Sequence, residues 1–224
     1  MIKSLFIIVI IVIIIIVGLL IYTNSSKKEI SMPEKNLTGP EGKPLVSNGV
    51  NKKIVMVIAF RDFRDAEYFV PREILENAGI EIKTASTKKG IAVGADGGEV
   101  NVDLLVSEVR PAEFDAIIFI GGPAALKYLD NEDSYKLIRE TVSQEKILAS
   151  ICISPVILAK AGVLEGKKAT VWSSVMDKSA IKILEQNKAI YEDKSVVVDG
   201  KIITANGPSA AKEFGEKIKE FLRD

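Results

Sequence analysis

The stretch Lys146-Ile-Leu-Ala-Ser-Ile-Cys152-Ile-Ser-Pro-Val-Ile-Leu-Ala-Lys160 decides how this chain folds. An apolar run ends at Cys152, the only cysteine, and Pro155 and a helix-like segment follow at once. We expect a strand that runs directly into a helix, with Cys152 at the corner. The N–H groups of the helix's first turn would then favour the thiolate, which predicts a reactive cysteine. The alternative is that Cys152 is a small core residue, as free cysteines often are.

On both sides of this stretch, strand-like runs alternate with helical patterns. Strands are predicted at 54–60, 80–85, 114–120, up to 152, at 169–172, and as a hairpin at 195–198 and 201–204. Helices are predicted at 65–77, between 123 and 144, after 155, and at 177–186 and 209–223, with short strands and turns at 90–109. This order predicts an α/β domain over residues 53–224, a flavodoxin-like three-layer α/β/α sandwich with a mostly parallel sheet.

The chain begins with a segment of a different kind. After a short basic N-terminus at 1–4, residues 5–22 form an uninterrupted apolar run of 18 residues, followed by a polar linker at 23–52. As a helix the run would reach roughly 27 Å, close to the hydrocarbon thickness of a bilayer. It indicates an uncleaved, single-pass transmembrane anchor rather than a cleaved signal peptide, which would have a shorter core. The positive charges on its two sides are nearly balanced, and the short basic N-terminus favours an extracytoplasmic domain.

Composition excludes several kinds of site. The chain has 224 residues, no histidine and one cysteine, so zinc sites built from histidine, Cys-His relays and internal disulfides are excluded. We predict no metal and no cofactor. The net charge is zero, so nothing points to nucleic acid as a partner, whereas membrane lipid is expected to contact residues 5–22.

Four stretches in the domain carry a family resemblance. They are Phe63-Arg-Asp-Ala-Glu67-Tyr-Phe-Val-Pro71, Ile118-Phe-Ile-Gly121-Gly122-Pro123, Ala149-Ser-Ile-Cys152-Ile-Ser-Pro155 and Ile203-Thr-Ala-Asn-Gly207-Pro208-Ser-Ala-Ala-Lys-Glu-Phe214. Each is modest alone. Together, and in this order, they resemble the ThiJ/PfpI family of the class I glutamine-amidotransferase-like superfamily over nearly all of residues 53–224.

The resemblance implies a role for each matching residue. Cys152 would be the reactive thiol, and Glu67 would share a proton or hydrogen bond with its sulfur. The N–H groups of Gly122 and Ile153 would form an oxyanion hole. Without the resemblance, Glu67 is a solvated first-turn glutamate and the glycine pair is a plain turn. A homo-oligomer is expected by resemblance only.

The missing histidine sets this chain apart from the family pattern and leaves three functions open. Ile153 and Trp172 occupy the positions where family members carry a histidine, so peptidase activity is disfavoured. The first hypothesis is an enzyme acting on small electrophiles such as α-oxoaldehydes, as glyoxalase- or deglycase-like members do. The second is a cysteine-based redox sensor. The third is a non-catalytic interaction domain whose pocket Ile153 and Trp172 have closed.

Overall fold

A seven-stranded sheet organises the domain in the computed structural model, which describes residues 52–223. The strands in chain order are β1 (Lys53–Val57), β2 (Arg61–Phe63), β3 (Glu81–Ser86), β4 (Gly90–Gly94), β5 (Glu99–Val102), β6 (Leu104–Leu105), β7 (Ala116–Phe119), β8 (Ile147–Ile151), β9 (Lys168–Ala169), β10 (Ile190–Tyr191), β11 (Val196–Asp199) and β12 (Ile202–Ala205). The main sheet has the spatial order β11-β12-β8-β7-β1-β3-β6. All its neighbouring strands are parallel except β11 and β12, which form an antiparallel hairpin.

Helices cover both faces of this sheet. They are α1 (Asp65–Asn77), α2 (Ala125–Leu129), α3 (Glu132–Ser143), α4 (Pro155–Lys160), α5 (Ser179–Gln186) and α6 (Ala211–Arg223). Alternate residues of β1 point to opposite faces, so Ile54 and Met56 join one apolar core while Val55 and Val57 join the other. The first core is completed by α1 and α6, and the second by α2, α3, α4 and α5. The domain therefore has three layers, with a mostly parallel sheet in the middle.

Most of the elements predicted from the sequence are present. The first helix has the predicted bounds, the 195–204 hairpin pairs as expected, and the last helix is present as Ala211–Arg223. The strand predicted at 169–172 is wrong in extent, because only Lys168–Ala169 is extended and it pairs with β10 outside the main sheet. Strand β2 was not predicted. It joins β4 and β5 in a separate three-stranded sheet, and its sequence Arg-Asp-Phe carries no strand pattern.

The parallel strands bring their carboxyl ends to one edge of the sheet, where α/β proteins place their sites. The loops that follow β1, β7 and β8 meet there. The anchor predicted at 5–22 and the linker at 23–52 lie outside the described residues, apart from Lys52. Within 52–223 none of the helices has the length and apolar character needed to cross a bilayer.

Candidate active site

Cys152 occupies a sharp corner between β8 and α4. Its φ is +64°, in the left-handed region that residues other than glycine rarely adopt. Two backbone hydrogen bonds hold it there: the Cys152 N–H donates to the carbonyl of Ala205 at 2.8 Å, and the Trp172 N–H donates to the carbonyl of Cys152, also at 2.8 Å. A strained corner fixed on both sides presents its side chain beyond the sheet, as a nucleophile elbow does.

Gly121 and Gly122 follow β7 and pass between the elbow and the start of α1. A Cβ on Gly121 would lie 2.5 Å from Cys152 Cβ and 2.7 Å from Glu67 Oε2. A Cβ on Gly122 would lie 2.5 Å from the Arg64 nitrogen, and the φ of Gly122 is +126°. Neither position has room for a side chain, so this pair is more than a plain turn.

The first turn of α1 places Glu67 against the elbow. Its side chain is fully buried, and the Gly121 N–H donates to Oε2 at 3.1 Å. The other oxygen, Oε1, has no nitrogen or oxygen partner among residues 52–223, and the carboxyl borders the Cys152 sulfur. The alternative of a solvated first-turn glutamate is therefore wrong.

Asp65, two residues earlier, anchors this turn of α1. Its carboxylate accepts the N–H of Asp96 at 2.8 Å and that of Gly98 at 2.7 Å, so the turn after β4 is tied to the start of the helix. A Cβ on Gly98 would lie 2.4 Å from Asp65 Oδ1, so the close approach requires glycine there. The helical turn that carries Glu67 is thus held by two hydrogen bonds that the Asp65 carboxylate accepts from backbone N–H groups.

Burial controls the proton affinity of the Glu67–Cys152 pair. It raises the pKa of Glu67 from 4.5 to about 7, against smaller lowering effects from the sulfur, the Gly121 N–H and the Arg64 charge. Burial also raises the pKa of the Cys152 thiol, and the charge of ionised Glu67 raises it further. The backbone N–H groups of Gly122 and Ile153 lie beside the Cys152 sulfur and act in the opposite direction, lowering the pKa of the thiol.

The raised pKa of the thiol runs against the thiolate that the sequence predicts. We expected the helix end to favour the thiolate, but α4 has only six residues and desolvation dominates. The two N–H groups predicted as an oxyanion hole lie beside the sulfur, and their role stays a prediction. Because each group disfavours ionisation of the other, the pair gives up its first proton near neutral pH and holds its second much more tightly.

An open cleft of about 360 Å³ leads to the sulfur. It is lined by Arg64, Gly122, Pro123, Leu126, Cys152, Ile153, Trp172 and Pro208. Ile153 and Trp172 form part of its walls, so the closed pocket expected in the third hypothesis is not what the domain has. Sequence reasoning gave no role to Arg64, although its position beside the acidic motif at the carboxyl edge of the sheet could have singled it out.

Replacing Gly122 by alanine tests the close approach. We expect Gly122→Ala to lower the free energy of unfolding by roughly 3 kcal/mol or more, because strain at φ and a backbone clash add together. Gly162→Ala is the matched control, since its φ is also positive, +83°, but nothing lies within 4 Å of the added Cβ. Urea unfolding measures both. Equal losses in the two variants would contradict the steric account.

Replacing Glu67 by glutamine tests its raised pKa. Between pH 4.5 and about 7 the folded chain keeps a proton that the unfolded chain releases, so this group's stabilisation is complete below pH 4.5 and is lost as pH rises. The wild-type free energy of unfolding, taken relative to Glu67→Gln, should therefore fall by about 3 kcal/mol across this window. Glu73→Gln, exposed on the same helix, is the control. A flat difference for Glu67→Gln would refute the shift.

Comparison with known proteins agrees with the fold and with the four stretches. The model of the DJ-1/PfpI family matches residues 52–220. A protein of Methanocaldococcus jannaschii is 41% identical over 78% of this chain and 84% of its own length, and Deglycase PfpI of Pyrococcus furiosus is 34% identical over 75% and 97%. The crystal structure of a ThiJ/PfpI domain protein from Brachyspira murdochii superimposes with a TM-score of 0.73 at 35% identity, over 77% of this chain and 97% of that one. The chain belongs to the DJ-1/PfpI family.

Proposed function

We propose that this chain is a cysteine-dependent enzyme that acts on small electrophiles such as α-oxoaldehydes, with Cys152 as nucleophile and Glu67 as proton carrier. The observation that carries the proposal is the set of groups around the Cys152 sulfur. Two backbone N–H groups lie beside it, a buried carboxyl borders it, and an open cleft leads to it. The family includes relatives named deglycases, among them Deglycase PfpI of Pyrococcus furiosus, which supports this class of chemistry.

The first step is addition of the thiol to the aldehyde carbonyl. The sulfur–carbon bond forms as the carbonyl π bond breaks, and the thiol proton passes by way of the Glu67 carboxylate to the new oxygen, giving a hemithioacetal. The N–H groups of Gly122 and Ile153, fixed beside the sulfur, would stabilise the negative charge on that oxygen. Because they are backbone groups in a rigid loop, they need little reorganisation when the charge develops.

Glu67 would also move the proton in the second step. A carboxyl with a pKa of about 7 is both a usable acid and a usable base at neutral pH. The hydrogen of the aldehyde carbon moves as a proton to the neighbouring carbonyl carbon, and the hydroxyl proton moves to that carbonyl's oxygen. These two transfers convert the hemithioacetal into the thioester of a 2-hydroxy acid. Water then hydrolyses the thioester to a 2-hydroxy acid and restores the thiol, so the sum is addition of one water to the α-oxoaldehyde.

Peptide hydrolysis remains disfavoured for this chain. The leaving amine of a peptide must be protonated as the bond breaks, and the chain has no histidine for that task. Addition to an aldehyde has no leaving amine, so it needs less acid–base help.

A redox sensor is the second candidate. The donors around the sulfur would equally hold the oxygens of a sulfenic or sulfinic acid, and protonated Glu67 could donate to them. The chain has one cysteine, so no internal disulfide could resolve the oxidised form. A non-catalytic interaction domain, the third candidate, has less support because the cleft is open.

Turnover of methylglyoxal by site variants separates these functions. We expect Cys152→Ala to abolish lactate formation and Glu67→Gln to reduce kcat at least tenfold, because the proton carrier is lost. Glu73→Gln should keep wild-type rates. Turnover that survives Cys152→Ala would rule out the enzyme proposal. Absence of turnover together with selective oxidation of Cys152 at low peroxide would favour the sensor, and a thiol that is inert until unfolding would favour the interaction domain.

We also propose that residues 5–22 anchor the chain as a single transmembrane span with the domain outside the cytoplasm. The support is the uncharged apolar run of 18 residues and the short basic N-terminus before it. A variant that combines Cys152→Ala with Lys212→Cys carries one thiol at an exposed position of α6. We expect a membrane-impermeant maleimide to label it in intact cells. Labelling only after permeabilisation would reverse the orientation, and recovery in the soluble fraction would exclude the anchor.

A further inference from the structure

The cleft above Cys152 carries a single charged side chain among its lining residues. Leu126, Ile153, Trp172 and two prolines give it apolar walls, and Arg64 stands among them. The polar groups directed at the sulfur within the cleft are the N–H donors of Gly122 and Ile153. Apart from buried Glu67 behind the sulfur, the cleft offers donors and positive charge, which suit a ligand with negative charge.

The loop that forms the site also fixes the origin of the Arg64 side chain. Arg64 immediately precedes α1, and its N–H donates to the carbonyl of Gly121 at 3.0 Å. Its carbonyl accepts the N–H groups of Glu67 and Tyr68. The backbone of Arg64 is therefore held between the glycine loop and the helix that carries Glu67. The side chain of Arg64 starts from this fixed point and lines the cleft.

The guanidinium of Arg64 is only weakly engaged by the protein. Its Nη1 contacts the two carboxylate oxygens of Asp96 at 3.3 and 3.4 Å, which are long distances for charge-assisted hydrogen bonds. The Arg64 side chain is 32% exposed and that of Asp96 is 60% exposed. No other acceptor for the guanidinium is found within residues 52–223. An exposed pair of this kind contributes little, so a ligand carboxylate could share or replace Asp96.

Arg64 is not needed to tie the turn after β4 to α1, because Asp65 already does so. The turn that carries Asp96 is tied to α1 by Asp65, which accepts two backbone N–H groups at 2.7 and 2.8 Å. These bonds are shorter than the Arg64–Asp96 contacts. The ion pair is therefore not needed to hold the turn, and the arginine is available for another task.

We propose that Arg64 is a specificity-determining residue that selects electrophiles carrying a carboxylate next to the reactive carbonyl, the class of α-oxo acids. This inference rests on the proposed function and concerns its first step, the addition of the thiol to a carbonyl group. An α-oxo acid has a carboxylate in place of the second carbonyl of an α-oxoaldehyde, so it undergoes this addition but not the later hydrogen shift. The planar guanidinium matches a carboxylate and orients it, which a lysine ammonium does less well. Arg64 and Cys152 line the same cleft of about 360 Å³, so a small substrate whose carboxylate binds Arg64 occupies the cleft that leads to the sulfur.

The chemical step needs no further reactant. The sulfur–carbon bond forms as the carbonyl π bond breaks, and the thiol proton ends on the new hydroxyl through Glu67. No group leaves, and neither oxidant nor reductant is used. Arg64 does not enter the bond changes; it holds the substrate's negative charge while the neighbouring carbonyl oxygen becomes negative beside the N–H groups of Gly122 and Ile153.

Alkylation of the full-length chain by a matched pair of reagents tests the proposal. Iodoacetate carries a carboxylate and iodoacetamide is neutral, and both report on Cys152 alone because it is the only thiol. The measured quantity is the ratio of the two rate constants, obtained by mass spectrometry. Because both rates come from the same variant, a general loss of thiol reactivity cancels in the ratio.

We expect the iodoacetate-to-iodoacetamide ratio to fall about tenfold in Arg64→Gln, the effect of losing a charge-assisted contact. Arg64→Lys should retain part of the ratio, and Asp96→Asn should raise it by freeing the guanidinium. Arg61→Gln is the matched control, because it removes the same charge from an exposed arginine that does not line the cleft. Thermal unfolding checks that each variant is folded.

Three outcomes would overturn the inference, and they can be told apart. If iodoacetamide alkylates the native thiol but the ratio is the same in wild type and Arg64→Gln, the anion selectivity is absent and the proposed function stands. If Cys152 resists both reagents until the chain unfolds, the inference and the proposed function fall together. An equal fall in Arg61→Gln would mean that the ratio reports general surface charge, and it would also overturn the role of Arg64.

Discussion

The close approach of three backbone segments at Gly121 and Gly122 is the constraint on which the rest of the site depends. The end of β7, the start of α1 and the elbow at Cys152 come nearer to one another than any side chain would allow. As a result the N–H of Gly121 reaches the Glu67 carboxylate and the N–H of Gly122 reaches the sulfur. The donors of the site are therefore backbone groups, and their geometry is set by the packing of the sheet and its helices rather than by flexible side chains.

Much of the fold could be predicted from the sequence because its signals are local. A window of a few residues is enough to recognise the apolar runs of β1, β7 and β8 and the Asp-Gly turn of the hairpin. What could not be predicted depends on distant partners. Strand β2 exists because β4 lies beside it. The predicted strand ends at Ala169, and beyond it the Trp172 N–H donates to the Cys152 carbonyl.

The identities of the site residues were open to prediction, but their energetics were not. Glu67, Cys152, Gly122 and Ile153 stand in recognisable stretches, and the fold brings them together. The direction of the thiol's pKa depends on how much solvent the whole domain removes, which no local pattern encodes. The contacts of Arg64 could not be predicted from a local pattern either. Its long, exposed contact with Asp96 and its place in the same cleft as the sulfur are visible only in the folded domain.

The hydrogen bonds that lock the elbow come from residues that follow Cys152 along the chain, at Trp172 and Ala205. A ribosome makes the chain from its N-terminus, so the elbow cannot take its strained conformation until β12 has emerged. Until then the corner at Cys152 lacks its hydrogen bond to Ala205. The strained corner that carries the thiol is consequently a product of the finished domain, because a chain that ends before β12 lacks the hydrogen bond from the Cys152 N–H to Ala205.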